Sequence, residues 1–227
     1  MSKQVLSTPV HGNYEDKYNS KNLISKFLVS NFIRTFENTL RFPMQEGIST
    51  ICEIGCGEGE LLKIVHSVFP TASLHASDIS SEEIEKAKHN CGSIHINYAI
   101  QDAENLQEYG DSLFDLVICC EVLEHLYNPL AGLKELLRIS KNYVLVSVPN
   151  EPIWRLMNMA RGKYIRFLGN TPGHLNHWSV IQFPRFLTTL PNSSIIKRRY
   201  SLPWQMVLLK KNSFKNQSRK NKRQERP

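Results

Sequence analysis

The sequence predicts an α/β fold built on a doubly wound, mostly parallel seven-stranded sheet with helices on both faces. Short apolar runs of strand length alternate with helix-length segments, the first run ends in a glycine-rich turn that enters a helix, and the last two runs are separated only by a short turn. Strands joined through helices need right-handed crossovers and so lie parallel, whereas two strands joined by a tight turn lie antiparallel. At 227 residues with 41% hydrophobic residues, the chain can bury one sizeable core, and one domain is the default.

In residues 22–40, Leu23, Ile24, Phe27, Leu28, Phe32, Ile33, Phe36 and Leu40 recur at helical spacing, which predicts an amphipathic helix lying against the core within an N-terminal segment 1–45. The main domain, 46–211, follows. Its elements read as strand 49–54, a glycine turn, helix 59–68 closed by Pro70, strand 73–77, helix 82–89, strand 94–99, strand 113–120, helix 130–139 and strand 143–148. After Pro149 the rhythm breaks. Residues 151–178 read as a lid: a helix over 151–168 with an apolar face (Ile153, Trp154, Leu156, Met157) and a basic end (Arg161, Lys163, Arg166), then a loop over 169–178. A helix over 179–190 has Ser179 as its N-cap, and strands 194–200 and 204–209 form a terminal pair.

The formal charge of +7 resides at the end of the chain, where Lys210, Lys211, Lys215, Arg219, Lys220, Lys222, Arg223 and Arg226 face only Glu225. The chain through Leu209 is neutral. Residues 212–227 are too polar to offset their ordering entropy and read as a basic disordered tail, solvated or resting on RNA or an anionic membrane. No apolar run approaches the roughly 18 residues needed to span a bilayer, and residues 1–11 lack a signal-peptide core, so a cytoplasmic location is expected. The five cysteines, Cys52, Cys56, Cys91, Cys119 and Cys120, form no CxxC pair and read as reduced, buried small residues.

The run Glu53-Ile54-Gly55-Cys56-Gly57-Glu58-Gly59 joins the first strand to its helix, where glycines let a ligand approach main-chain N–H groups. Asp78 ends the second strand about 20 residues on, where a carboxylate can accept bonds from ribose hydroxyls. A dinucleotide such as NAD needs GxGxxG so that its pyrophosphate rests on the helix. The pattern here is GxGxG led by Glu53, and that carboxylate suits an ammonium and repels a pyrophosphate. The spacing thus favours the phosphate-free cofactor S-adenosylmethionine (SAM) over NAD, whose use would make the chain an NAD-dependent oxidoreductase.

Together, EIGCGEG, Asp78, Gln101-Asp102-Ala103, FDLVICCEVLEHL, LKELLRI and YVLVSVPN resemble the class I SAM-dependent methyltransferase family, in its small-molecule branch with an EVLEHL motif. The likeness covers roughly residues 48–150 and the terminal strand pair. It implies a Rossmann-like methyltransferase fold with SAM as cofactor. Asp78 would hold the ribose, Asp102 with Ala103 would meet the adenine, and Glu121 would face the methionine part, with Ile79 beside Asp78 and Glu53, Gly55, Cys56, Gly57 and Gly59 of the turn completing the cofactor-binding set. Asp78 as a helix cap with Ser80 or Ser81, and Asp102 as plain turn chemistry, are the competing structural readings.

Methyl transfer from a sulfonium is an in-line displacement, so much of the rate comes from alignment, and a base is needed only for an acceptor such as a hydroxyl. His125, after the fourth strand, and His174 and His177 in the loop are the catalytic candidates, placed where such folds bind ligands. No metal is expected. A fainter resemblance to small-RNA ribose 2′-O-methyltransferases implies an alternative in which Glu121, Glu124, His125 and His174 hold a divalent ion. The expected partner is a small-molecule or lipid- or sugar-linked acceptor, and the aromatic and basic lid suits one bearing negative charge, although a simply packed lid reads equally well. Nucleic acid is the competing partner, and oligomeric state is not encoded in any motif.

Overall fold

The structure, a computed structural model, describes residues 23–162 and 164–212. Residues 1–22 of the N-terminal segment and nearly all of the basic tail lie outside the described residues. One seven-stranded sheet runs in the order β3-β2-β1-β4-β5-β7-β6. Its strands are β1 Thr50–Ile54, β2 Ser73–Asp78, β3 Ile96–Ile100, β4 Phe114–Cys120, β5 Ser140–Pro149, β6 Ser193–Ser201 and β7 Trp204–Lys211. The first five pair in parallel, and β7 lies antiparallel between β5 and β6. The chain winds outward from β1 to β3 and then returns to β4 beside β1, so the carboxyl ends of β1 and β4 flank the switch point where open α/β sheets open a crevice.

The helices are α1 Leu23–Leu40, α2 Glu60–Val68, α3 Ser81–Cys91, α4 Pro129–Ile139, α5 Glu151–Ala160 and α6 Gln182–Leu187. Strand periodicity explains how they share two faces. Leu116, Ile118 and Cys120 of β4 join one core with Phe32, Phe36 and Leu40 of α1, whereas Val117 and Cys119 join the other with Leu133, Leu136 and Leu137 of α4. Every residue of β4 is buried, which accounts for its continuous apolar reading where a half-exposed strand would alternate. All five cysteines are free and buried.

Asp115 sets the start of β4 against β1. Its Oδ2 accepts from the Ser49 amide and hydroxyl (2.9 and 2.8 Å) and from the Thr50 amide (3.2 Å), and these bonds hold the carboxyl below the usual aspartate range despite burial. Because the folded pKa is depressed, the contribution is complete above the unfolded aspartate pKa of about 4 and drains away as pH falls through the folded value. Asp115→Ala should cost about 2–4 kcal/mol in urea unfolding at neutral pH, with the difference from wild type shrinking in acid. A loss under about 0.5 kcal/mol would contradict this reading of the junction.

Two predicted helices are shorter than read. The helix over 151–168 stops at Ala160, because Gly162 takes a left-handed φ of 71° and Tyr164 another of 54°, and only the 3-10 turn Ile165–Phe167 follows. The helix over 179–190 shrinks to Gln182–Leu187. Its N-cap position is Ile181, without a side-chain cap; Ser179, read as the cap, lies one turn earlier, its hydroxyl accepting from the Gln182 amide (3.3 Å) while its own amide donates to the Gln182 side chain (3.0 Å).

Candidate active site

The turn after β1 is fixed to the end of β2. Gly55 and Cys56 donate their amides to the Ser77 carbonyl (2.7 and 3.0 Å), and the Gly57 amide donates to Asp78 Oδ2 (2.9 Å). Gly55 has φ 73°, and a Cβ there would lie 2.3 Å from Val122 Cγ2, so the turn demands glycine twice over. The second Asp78 oxygen accepts from the Ser80 amide (2.9 Å), while the cap of α3 is Ser80 itself. Asp78 is therefore a link between the two turns and not the helix cap. Ile79 beside it is exposed. Asp102 makes the local turn weighed from the sequence, its Oδ1 accepting from the Glu104 amide (2.9 Å), and Ala103 is buried.

A cleft of about 600 Å³ opens at the switch point. Glu53, Gly55 and Cys56 of the turn and Glu121 after β4 line it, together with Phe32 of α1 and Trp204 of β7. Gly57, Gly59, Asp78, Ile79, Asp102 and Ala103 stand outside that lining, along the ends of β1, β2 and β3. Glu53 is 2% exposed, and its Oε2 finds no hydrogen-bond partner among the described residues. Burial, and then the nearby Asp78, push its carboxyl well above the ordinary range. Glu121 sits at the strand tip with φ 61°, its Oε1 accepting from the Ser147 hydroxyl (3.0 Å). A buried carboxylate lacking a donor beside a concave, phosphate-repelling wall fits a ligand that brings its own ammonium.

The second cluster forms where the loop over residues 169–178 meets the turn after β4. The amides of Leu175 and Asn176 donate to the Glu124 carbonyl (2.8 and 3.0 Å), and the Asn176 side chain donates to the Leu126 carbonyl (2.6 Å). These bonds bring His174 to His125, ring centroids 5.0 Å apart and nearly perpendicular. Nδ1 of His125 pairs with the Gly173 carbonyl (2.9 Å), and Nδ1 of buried His174 pairs with Glu151 Oε1 (2.5 Å). His177 Nδ1 lies 3.6 Å from the other Glu151 oxygen. One oxygen of Glu124 and one ring nitrogen each of His125 and His174 lie within 4.8 Å of one another, so three of the four residues considered for a divalent ion converge; Glu121 is not in that group. A file of rings connects cluster and cleft: His174 stacks on Trp154, Trp154 packs on Trp204, and Trp204 on Phe32.

Residues 52–146 match a family model described as a methyltransferase domain. Over those residues the chain is similar to methyltransferases. Over 80 residues it is 40% identical to malonyl-acyl-carrier-protein O-methyltransferase of Anoxybacillus flavithermus, covering 35% of this chain and 30% of that one. Over 83 residues it is 32% identical to a ubiquinone biosynthesis O-methyltransferase of Xanthomonas campestris, covering 36% and 34%. The aligned part thus spans about a third of the length of these relatives. In fold, the chain is similar to magnesium protoporphyrin IX methyltransferase of Synechocystis with bound SAH (TM-score 0.63, 19% identity, 84% and 88% covered). It is also similar to a plantazolicin methyltransferase in complex with SAH (TM-score 0.67, 17% identity, 87% and 88% covered).

Sequence reasoning missed three parts of this candidate site. Phe32 and Trp204 read as core residues of distant elements, and only the fold brings them to the cleft. Glu151 read as the first residue of a lid helix, although a carboxylate just past the end of a parallel strand is itself a signal.

Proposed function

We propose that this chain transfers the methyl group of SAM to an oxygen of a small-molecule acceptor, with His174 as the base. The observation that carries the reading is the pairing of a buried, donor-seeking Glu53 with a glycine turn that Asp78 fixes, at the switch point of the domain. Glu53 would take the ammonium, Glu121 would face the methionine part, Asp78 would take the ribose, and Ile79 with Asp102 and Ala103 would flank the adenine. The bound cofactor supplies an electrophilic methyl on a sulfonium. His174, whose Nδ1 is held by Glu151, would take the acceptor's hydroxyl proton on its other ring nitrogen as the oxygen accepted the methyl group. An oxygen acceptor is supported by the O-methyltransferase names of the relatives. No comparison supports NAD-dependent oxidation or RNA ribose methylation.

Calorimetry tests the cofactor. SAM should bind and NAD should not, and the ligand's cation should lower the raised Glu53 pKa, so that binding releases a proton below the free-protein value. Affinity should then climb by up to about tenfold per pH unit through that range, flattening as the ligand's amino group deprotonates near about pH 8. Glu53→Gln should abolish the proton release. NAD binding in place of SAM, or proton-neutral SAM binding at every pH, would overturn the assignment.

A further inference from the structure

The lid holds a feature that neither the cofactor cleft nor the histidine cluster uses. Beyond α5 the chain presents Ile165, Arg166, Phe167 and Leu168 as four consecutive exposed residues, with the three apolar ones 61%, 65% and 67% exposed, and Leu156 of α5 is 63% exposed as well. Surface leucines scattered singly need no explanation, but an apolar tip at the end of a lid does. Nor is it a loose end. Arg155 Nε donates to the Leu168 carbonyl (3.0 Å), Asn158 Nδ2 donates to the Gly169 carbonyl (2.9 Å), and the Trp154 indole donates to Thr171 (2.8 Å). A Cβ on Gly169 would lie 2.1 Å from the Arg155 carbonyl oxygen. Tyr164 and Leu168 both hold the left-handed backbone that non-glycine residues avoid, so the turn is held in an unfavourable conformation that aims its apolar side chains outward.

Charge names the partner. Residues 152–211 contain no Asp or Glu and ten Lys and Arg, among them Arg155, Arg161, Lys163 and Arg166 of the lid. Cations around an apolar tip are the pattern that lies in the headgroup region of an anionic bilayer, with apolar side chains in the acyl boundary and cations at the phosphates. A second copy meeting this tip through its own lid would bring like charge to the same place. RNA would use the cations but has no seat for Ile165, Leu156 and Leu168.

We infer that the tip Ile165–Leu168 inserts into the surface of an anionic lipid bilayer, with the neighbouring arginines on the headgroups. No described helix is long and apolar enough to cross a membrane, so the contact is peripheral. Because Glu151 and Trp154 of the same helix touch His174, a docked lid would set the histidine cluster close to the lipid surface, where an acceptor with an apolar tail resides. The inference rests on the lid surface alone and stands or falls independently of methyl transfer.

The full chain should co-sediment with phosphatidylcholine vesicles containing about one-third phosphatidylglycerol, and not with pure phosphatidylcholine. The basic end of the chain can add salt-sensitive adsorption, so the decisive comparison is at high salt. There, Ile165→Ser with Phe167→Ser, which keeps every cation, should weaken binding at least about tenfold while leaving the near-ultraviolet circular dichroism unchanged. In Phe167→Trp, the new indole's emission should shift to the blue on adding anionic vesicles and be quenched by brominated lipid. No vesicle binding, a double-serine variant that binds as wild type does, or an unshifted indole would overturn the inference. So would binding of single-stranded RNA that the double-serine change weakens while vesicles are ignored.

Discussion

Gly55→Ala is expected to lower SAM affinity about 100-fold, the largest effect on cofactor binding from a single methyl group. A left-handed residue with a Cβ costs about 1–2 kcal/mol, and the Cβ would also stand 2.3 Å from Val122 Cγ2. Together these come to about 3 kcal/mol, or two orders of magnitude in a binding constant. Val122 belongs to the turn after β4, so the new methyl would push apart two of the elements that face the cleft. Calorimetry with SAM checks the loss, and circular dichroism checks that the sheet persists. Gly55→Ala combined with Val122→Ala should recover part of the affinity, since it removes the collision and leaves the backbone penalty. Unchanged affinity in the single variant would mean that the cofactor does not depend on the conformation of this turn.

His174→Gln is expected to lower kcat by about 10²- to 10⁴-fold, the range general-base catalysis supplies. Glu151→Gln should lower it by about 100-fold or more, because the amide cannot stabilise the imidazolium and can hold the wrong tautomer. SAM affinity should stay within about threefold of wild type in both, since neither residue lines the cleft. His125→Ala and His177→Ala should cost less than about tenfold: the first ring is tied to the Gly173 carbonyl, and the second is exposed and 3.6 Å from Glu151. Rates from quenched-flow with the acceptor found by mass spectrometry of methylated extract components provide the measurement. Exhaustive chelation separates the base from a divalent ion at Glu124, His125 and His174. Retained activity supports the base, whereas loss that a divalent ion restores, together with a large effect of His125→Ala, would replace it with metal-assisted activation.

Local signals carried much of this protein. The apolar runs of β1 and β4, the glycine turn and Asp78 at the tip of β2 each depend on residues within a few positions of one another, so strand, turn and helix order could be read directly, and with them the doubly wound sheet. The lid could not be read so far. A helical period continues through residues 151–168, but Gly162 and the left-handed Tyr164 end the helix early, and a residue's φ is set by the tertiary bonds that Arg155 and Asn158 make to the following turn.

The sequence by itself determined the strand order's raw material, the phosphate-repelling acids beside the glycine turn, and which histidines were available for chemistry. Only the tertiary structure decided that Glu151 holds His174, that His125 meets it, and that Phe32 and Trp204 wall the cleft. Those pairings join residues 23 to 172 positions apart, and nothing in a local pattern encodes the docking of the lid loop's amides on the Glu124 carbonyl that brings the histidines together. Main-chain hydrogen bonds of that kind are made by every residue type alike, so they leave no mark in the amino-acid sequence.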